Sequence, residues 1–166
     1  MNPKKPRILL IGAGAFGLKH LETLRYLERQ GILALAGVVV RTKRSQRRLR
    51  KERAFPVYDR IPSGLLDKID AVVIATPPET HLELALQCLP KVNVFIEKPL
   101  ASDVKGASII KKYAAASPHI LMVGHIFRFH PVVVELKKIL KAARESWHSI
   151  ECSFVNTADT DNGRDV

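Results

Sequence analysis

The strongest constraint in this sequence is a series of short aliphatic runs separated by stretches with helical periodicity. Ile8-Leu9-Leu10-Ile11 and Ala71-Val72-Val73-Ile74-Ala75 contain no polar residue, and residues 92–97 contain two. A strand with one wet face alternates polar and apolar residues, whereas a strand without alternation is covered on both faces. Between the first two runs, Phe16, Leu21, Leu24 and Leu27 recur at three-to-four spacing, as on one side of a helix. Strands and helices in alternation predict a parallel sheet with helices on both faces.

Six strands are expected, at residues 8–11, 33–40, 56–58, 71–75, 92–97 and 120–125. Helices are expected at 15–30, at 45–54, from Thr80, at 102–115 and from Pro131, which suits a first helical turn. Thr80-His81-Leu82-Glu83 has the Thr-x-x-Glu form of a capping box. Residues 150–155 differ, because Ile150, Cys152 and Phe154 alternate with polar neighbours. That pattern fits a sheet covered on one side only. The expected architecture is therefore a doubly wound α/β domain over 1–145, then 146–166 as the first strand of a truncated α+β second domain. Unpaired, that strand is expected to associate with a second copy or to lack order.

Of the 27 Lys and Arg residues, eight lie in residues 41–53 beside a single acid, Glu52. Net charge is +11, and most of it comes from this segment. Such a segment serves a nucleic acid, a phosphate pocket or a solvated helix face. No aromatic residue interleaves with the basic ones, and Phe55 and Tyr58 only follow them, which disfavours single-stranded nucleic acid. No apolar run approaches membrane-spanning length, and Met1 to Arg7 are followed by only four aliphatics, too few for a signal peptide. Cys88 and Cys152 provide neither a disulfide framework nor metal-ligand spacing, so no metal is expected. A cytoplasmic location is expected.

Gly12-Ala13-Gly14-Ala15-Phe16-Gly17 is a G-x-G-x-x-G placed between a strand and a helix, the context the motif requires. Gly12 permits a sharp turn, Gly14 removes a Cβ that would obstruct a pyrophosphate, and Gly17 permits close helix packing. The free N–H groups of the helix start, at Gly14, Ala15 and Phe16, face the phosphates. This is a dinucleotide-binding, Rossmann-type signature. A free ribose 2′-hydroxyl is met by an acid some 20 residues further on. Here no acid stands between Glu28 and Glu52, and the second strand runs into Arg41-Thr42-Lys43-Arg44. Arg41, Arg44 and the Thr42 hydroxyl suit a 2′-phosphate, so NADP is expected over NAD. Residues 47–53 are expected to form a solvated face.

Thr76-Pro77 with His81 follows the fourth strand, and Glu97-Lys98-Pro99 follows the fifth. Both stand at carboxyl ends of strands, where ligands of open parallel sheets bind. His81, shortly after two prolines, occupies a helix start. A lysine in such a place can exchange a hydroxyl proton, though position alone also fits a surface charge.

The ordered set of these motifs, completed by Arg128-Phe129-His130-Pro131 and by His20 three residues after Gly17, resembles the glucose-fructose oxidoreductase/inositol dehydrogenase family. The resemblance covers nearly the whole chain. It implies a two-domain NAD(P)-dependent oxidoreductase acting on a secondary alcohol or carbonyl of a sugar, polyol or sugar nucleotide. It further implies that Lys98 is catalytic, that Glu97 lies beside the nicotinamide, and that Thr76, Pro77, His81 and Arg128 line the cofactor. A cis Lys98–Pro99 peptide and a homo-oligomer are also implied. The substrate domain is missing from the sequence, so this stretch is expected to bind cofactor without turning over. The family also includes a dinucleotide-sensing repressor, and a regulatory protein is the alternative. The intact Glu97-Lys98-Pro99 favours the enzyme.

Overall fold

The computed structural model describes residues 4–52, 54–142 and 151. Apart from Glu151, the strand expected at 150–155 lies outside the described residues, as does the expected boundary between 145 and 146. Two compact units divide the chain, Met1–His125 and Ile126–Val166.

The first unit holds six parallel strands: β1 (Arg7–Ile11), β2 (Ala34–Val39), β3 (Val57–Tyr58), β4 (Ala71–Ile74), β5 (Asn93–Ile96) and β6 (Leu121–Val123). Their order across the sheet is β3-β2-β1-β4-β5-β6. In β1 the side chains alternate between two cores. Leu9 and Ile11 pack with Ala85, Leu89 and Ile110 on one face, while Leu10 packs with Leu21, Leu24 and Leu49 on the other. Both faces of the strand are dry, which is why its sequence is aliphatic without alternation.

The helices of this unit are α1 (Ala15–Arg29), α2 (Lys43–Arg50), α3 (His81–Cys88) and α4 (Val104–Ala116). From their core contacts, α1 and α2 supply one face of the sheet and α3 and α4 the other. The chain leaves β1 on one side for β2 and β3, then crosses back to β4 on the other side. The connections that leave the paired carboxyl ends of β1 and β4 therefore run to opposite faces, at the crevice where open α/β sheets receive ligands.

Two helix starts and one helix cap differ from the sequence expectation. Helix α2 begins at Lys43 because Thr42 is its N-cap, with Oγ1 accepting from Ser45 N–H at 3.2 Å. Helix α4 begins at Val104, two residues later than expected, because Asp103 is its N-cap, accepting from Gly106 N–H at 2.7 Å. The capping box at Thr80 does not form. Pro78–Thr80 is already a 3-10 turn, and the Thr80 hydroxyl turns back toward Thr76 Oγ1 (2.7 Å) and the Pro77 carbonyl (2.8 Å). A residue whose backbone is already helical cannot aim its hydroxyl at the following turn.

Within the second unit, Ile126–Phe129 is a 3-10 turn and α5 spans Pro131–Ala142. The first turn of α5 is joined to His130, whose carbonyl accepts from Val134 N–H at 2.9 Å.

Candidate functional site

The turn between β1 and α1 is built by its glycines. Gly12 has φ +97°, and a Cβ there would strike the Ala75 carbonyl and come within 2.8 Å of Thr76 Cγ2. The missing side chain thus lets the turn lie against the end of β4. Gly17 packs in the same way, since a Cβ on it would strike the Gly12 carbonyl. The helix closes on its own turn first, with the Ala75 carbonyl second at 3.6 Å. Gly14 is different, because a Cβ there would meet nothing within 4 Å. Its lack of a side chain keeps space open above the turn.

That space adjoins the start of α1. No side chain caps this helix and no acid occupies its first turn. The leading N–H groups of a helix have no helical partner and present partial positive charge. An open, uncapped helix start above a glycine fits a pyrophosphate.

At the end of β2, the Arg41 and Arg44 guanidinium groups are exposed and make no hydrogen bond or ion pair with the described residues. The Thr42 hydroxyl is engaged with Ser45, donating to Ser45 Oγ at 2.9 Å. Farther along α2, Arg48 lies on the solvated face expected of residues 47–53 but also reaches the glycine turn. Its Nη2 donates to the Ala13 carbonyl at 3.3 Å. Arg47, Arg48, Arg50 and Lys51 are exposed, as expected, but charge density does not reveal which of them borders the glycine turn.

The end of β5 meets the same turn. The Lys98–Pro99 peptide is cis, as the resemblance implies. Lys98 Nζ lies 5.8 Å from the Phe16 ring centroid, which brings the lysine to the first residues of α1. Phe16 is exposed, so the ammonium and the ring edge open space rather than core. Glu97 is anchored from α1, where His20 Nε2–H donates to its Oε1 at 2.7 Å. Its other oxygen accepts from Lys98 N–H at 3.2 Å. Spacing in the sequence gave no sign of the His20–Glu97 partnership.

Thr76 and Pro77 follow β4 and border the glycine turn through the Thr76 methyl. His81 has no exposed surface. Its Nδ1 faces the Pro99 carbonyl and its Nε2 the Thr76 carbonyl, each at 2.9 Å. The resemblance counts His81 among the cofactor contacts, whereas the structure sets it inside the protein, with its ring nitrogens facing the loops that carry Thr76 and Lys98. Arg128 belongs to the 3-10 turn of the second unit. No group of three or more metal-ligating side chains occurs among the described residues, and no described helix is long and apolar enough to cross a membrane.

Comparison with known proteins agrees with this arrangement. The oxidoreductase family with an NAD-binding Rossmann fold matches residues 6–125. The inositol 2-dehydrogenase of Mycolicibacterium smegmatis is 30% identical over 138 residues, covering 82% of this chain and 40% of that protein. The UDP-N-acetylglucosamine 3-dehydrogenase of Acidithiobacillus ferrooxidans is 34% identical over 131 residues, covering 75% of this chain and 40% of that protein. A crystal structure of the latter enzyme superposes with a TM-score of 0.67 at 28% identity, over 82% of this chain and 43% of that one. A dehydrogenase structure from Clostridium difficile gives 0.68 at 26% identity, over 81% of this chain and 44% of that one. The chain thus spans about two fifths of the length of these curated relatives. The glycine turn, the strand-end motifs and these matches place the chain in the glucose-fructose oxidoreductase/inositol dehydrogenase family of NAD-binding Rossmann-fold oxidoreductases.

Proposed function

We propose that the chain is the dinucleotide-binding part of an NADP-preferring oxidoreductase that acts on a secondary alcohol or carbonyl of a polyol, sugar or sugar nucleotide. One observation carries the reading: Lys98 and the uncapped start of α1 meet at Phe16, with Lys98 Nζ 5.8 Å from its ring. A proton-exchanging group and an anion-binding helix start border the same space. The relatives' names, an inositol and a sugar-nucleotide dehydrogenase, support the substrate class.

When bound, a nicotinamide dinucleotide supplies the hydride chemistry. The chain's own residues bind, orient and exchange the proton. Gly12, Gly14 and Gly17 shape the turn, and the N–H groups of Gly14, Ala15 and Phe16 hold the pyrophosphate. Arg41 and Arg44, with Thr42 beside them, hold a 2′-phosphate in place of the acid that would hold a ribose hydroxyl. Lys98 Nζ gives or takes the substrate hydroxyl proton. Glu97, fixed by His20, orients the Lys98 backbone through its N–H.

Calorimetric titration with NADP(H) and NAD(H) tests the reading. NADP(H) is expected to bind about tenfold tighter, ~1.4 kcal/mol. Joint Arg41→Ala and Arg44→Ala substitution is expected to erase the difference. Equal affinities in the unaltered chain, or tighter NAD(H), overturn the cofactor assignment.

A further inference from the structure

Arg48 stands one helical turn after Arg44 on α2, and helix side chains lean toward the N-terminus of their helix. Arg48 therefore reaches back toward the end of β2 and the glycine turn. Helix α2 itself is firmly placed. Leu49 is buried at 1% exposure, and Gln46 Nε2 donates to the Val40 carbonyl at 3.0 Å. The reach of Arg48 starts from a fixed base.

Its target is the carbonyl of the Ala13–Gly14 peptide, at 3.3 Å. Backbone bonds anchor either side of this peptide, from Gly12 N–H to the Val39 carbonyl and from Leu18 N–H to the Gly14 carbonyl, each at 2.9 Å. In a trans peptide the C=O and N–H point in opposite directions. A guanidinium holding the Ala13 carbonyl toward α2 thus turns the Gly14 N–H toward the opposite side.

We propose that Arg48 is a positioning residue of the dinucleotide site. It orients the Ala13–Gly14 peptide so that Gly14 N–H meets the pyrophosphate, and it acts on NADP and NAD alike. This rests on the dinucleotide reading above and extends it to a residue whose effect is independent of the 2′-phosphate. Arg41 and Arg44 sort the two cofactors, whereas Arg48 prepares the turn that both share.

The test is calorimetric titration of the unaltered chain, Arg48→Met and Arg48→Lys with NADP+, NAD+, ADP-ribose and 2′-AMP. Arg48→Met is expected to weaken NADP+, NAD+ and ADP-ribose by a common factor of about three to ten, the scale of one ordinary hydrogen bond. Binding of 2′-AMP, which has no pyrophosphate, should be unchanged. Arg48→Lys should recover part of the loss, since it keeps the charge but not the fork. A loss confined to NADP+ and 2′-AMP overturns the proposal in favour of direct 2′-phosphate contact. No loss with any ligand overturns it in favour of a solvated arginine. If the unaltered chain binds none of the four, the dinucleotide reading fails, and the ligand-free amide spectrum decides on Arg48 alone. A Gly14 amide cross-peak moved by Arg48→Met but not by Arg47→Met supports the orientation of the Ala13–Gly14 peptide by Arg48, and an unmoved peak overturns it.

Discussion

His20 on α1 and Glu97 at the end of β5 are 77 residues apart in the chain, yet their side chains meet at 2.7 Å. The pair is largely shielded, at 26% and 14% side-chain exposure, and His20 also meets the Phe95 ring edge-on at 5.4 Å. It joins the helix that presents the anion site to the strand that presents Lys98. A double-mutant cycle with His20→Ala and Glu97→Gln should give a coupling of about 1 kcal/mol, typical of a partly shielded charged hydrogen bond. Urea unfolding of the four proteins measures it. Additive effects would mean that the contact holds nothing together.

Burial pushes the Cys88 thiol up from 9.0 to about 12. The side chain has 0% exposure and lies in the core that includes Ala85 and Leu89. A group whose folded pKa exceeds its unfolded value stabilises the fold below the unfolded pKa and loses that contribution as pH rises through the folded one. Stability should therefore fall between about pH 9 and 12 more steeply in the unaltered chain than in Cys88→Ala. Urea midpoints of both proteins across that window test it, and parallel curves refute it.

Where one local force dominates, the sequence was sufficient. Two dry faces force the aliphatic runs of β1 and β4, and the three glycines of the turn each serve close backbone approach or open space. The sequence was insufficient where two local signals compete. Thr80-x-x-Glu83 is a sound capping pattern, but Pro77-Pro78 had already set a 3-10 turn, so the hydroxyl found Thr76 instead. It was insufficient again where the partner is remote. Arg48 sits in a run of charges that look alike until the fold brings one of them to Ala13. His81 does start α3, as the sequence reads, but the sequence does not report that two carbonyls, from loops before and after that helix, converge on its ring.

The ring N–H that one of those carbonyls accepts makes His81 costly to replace. His81→Leu removes the ring N–H and leaves the carbonyl that accepted from it, that of Thr76 or Pro99, facing an apolar side chain. An orphaned buried carbonyl costs roughly 1–3 kcal/mol, and a loss of about that size is expected. His81→Gln keeps one amide donor group and should lose less than His81→Leu. Denaturant titration of both variants checks the order, and equal, small losses would show that neither carbonyl depends on the ring.

Gly12 and Gly14 should respond oppositely to a side chain, although they are two residues apart in one motif. Gly12→Ala puts a methyl group into the Ala75 carbonyl at φ +97°. The strain and overlap should cost about 2–4 kcal/mol and lower Tm by roughly 5–10 °C. Gly14 has φ −71° and ψ −167°, an ordinary extended conformation, with open space where a Cβ would go. Gly14→Asn should therefore leave Tm unchanged or slightly raised, because asparagine is a favoured N-cap. The new side chain would fill the space above the turn and take up an N–H group at the start of α1. NADP+ affinity should fall at least about tenfold while the fold stays intact. Thermal melts and calorimetry on the same samples separate the two effects. A Gly14→Asn chain that melts normally and still binds NADP+ at full strength would show that the ligand does not sit at this helix start.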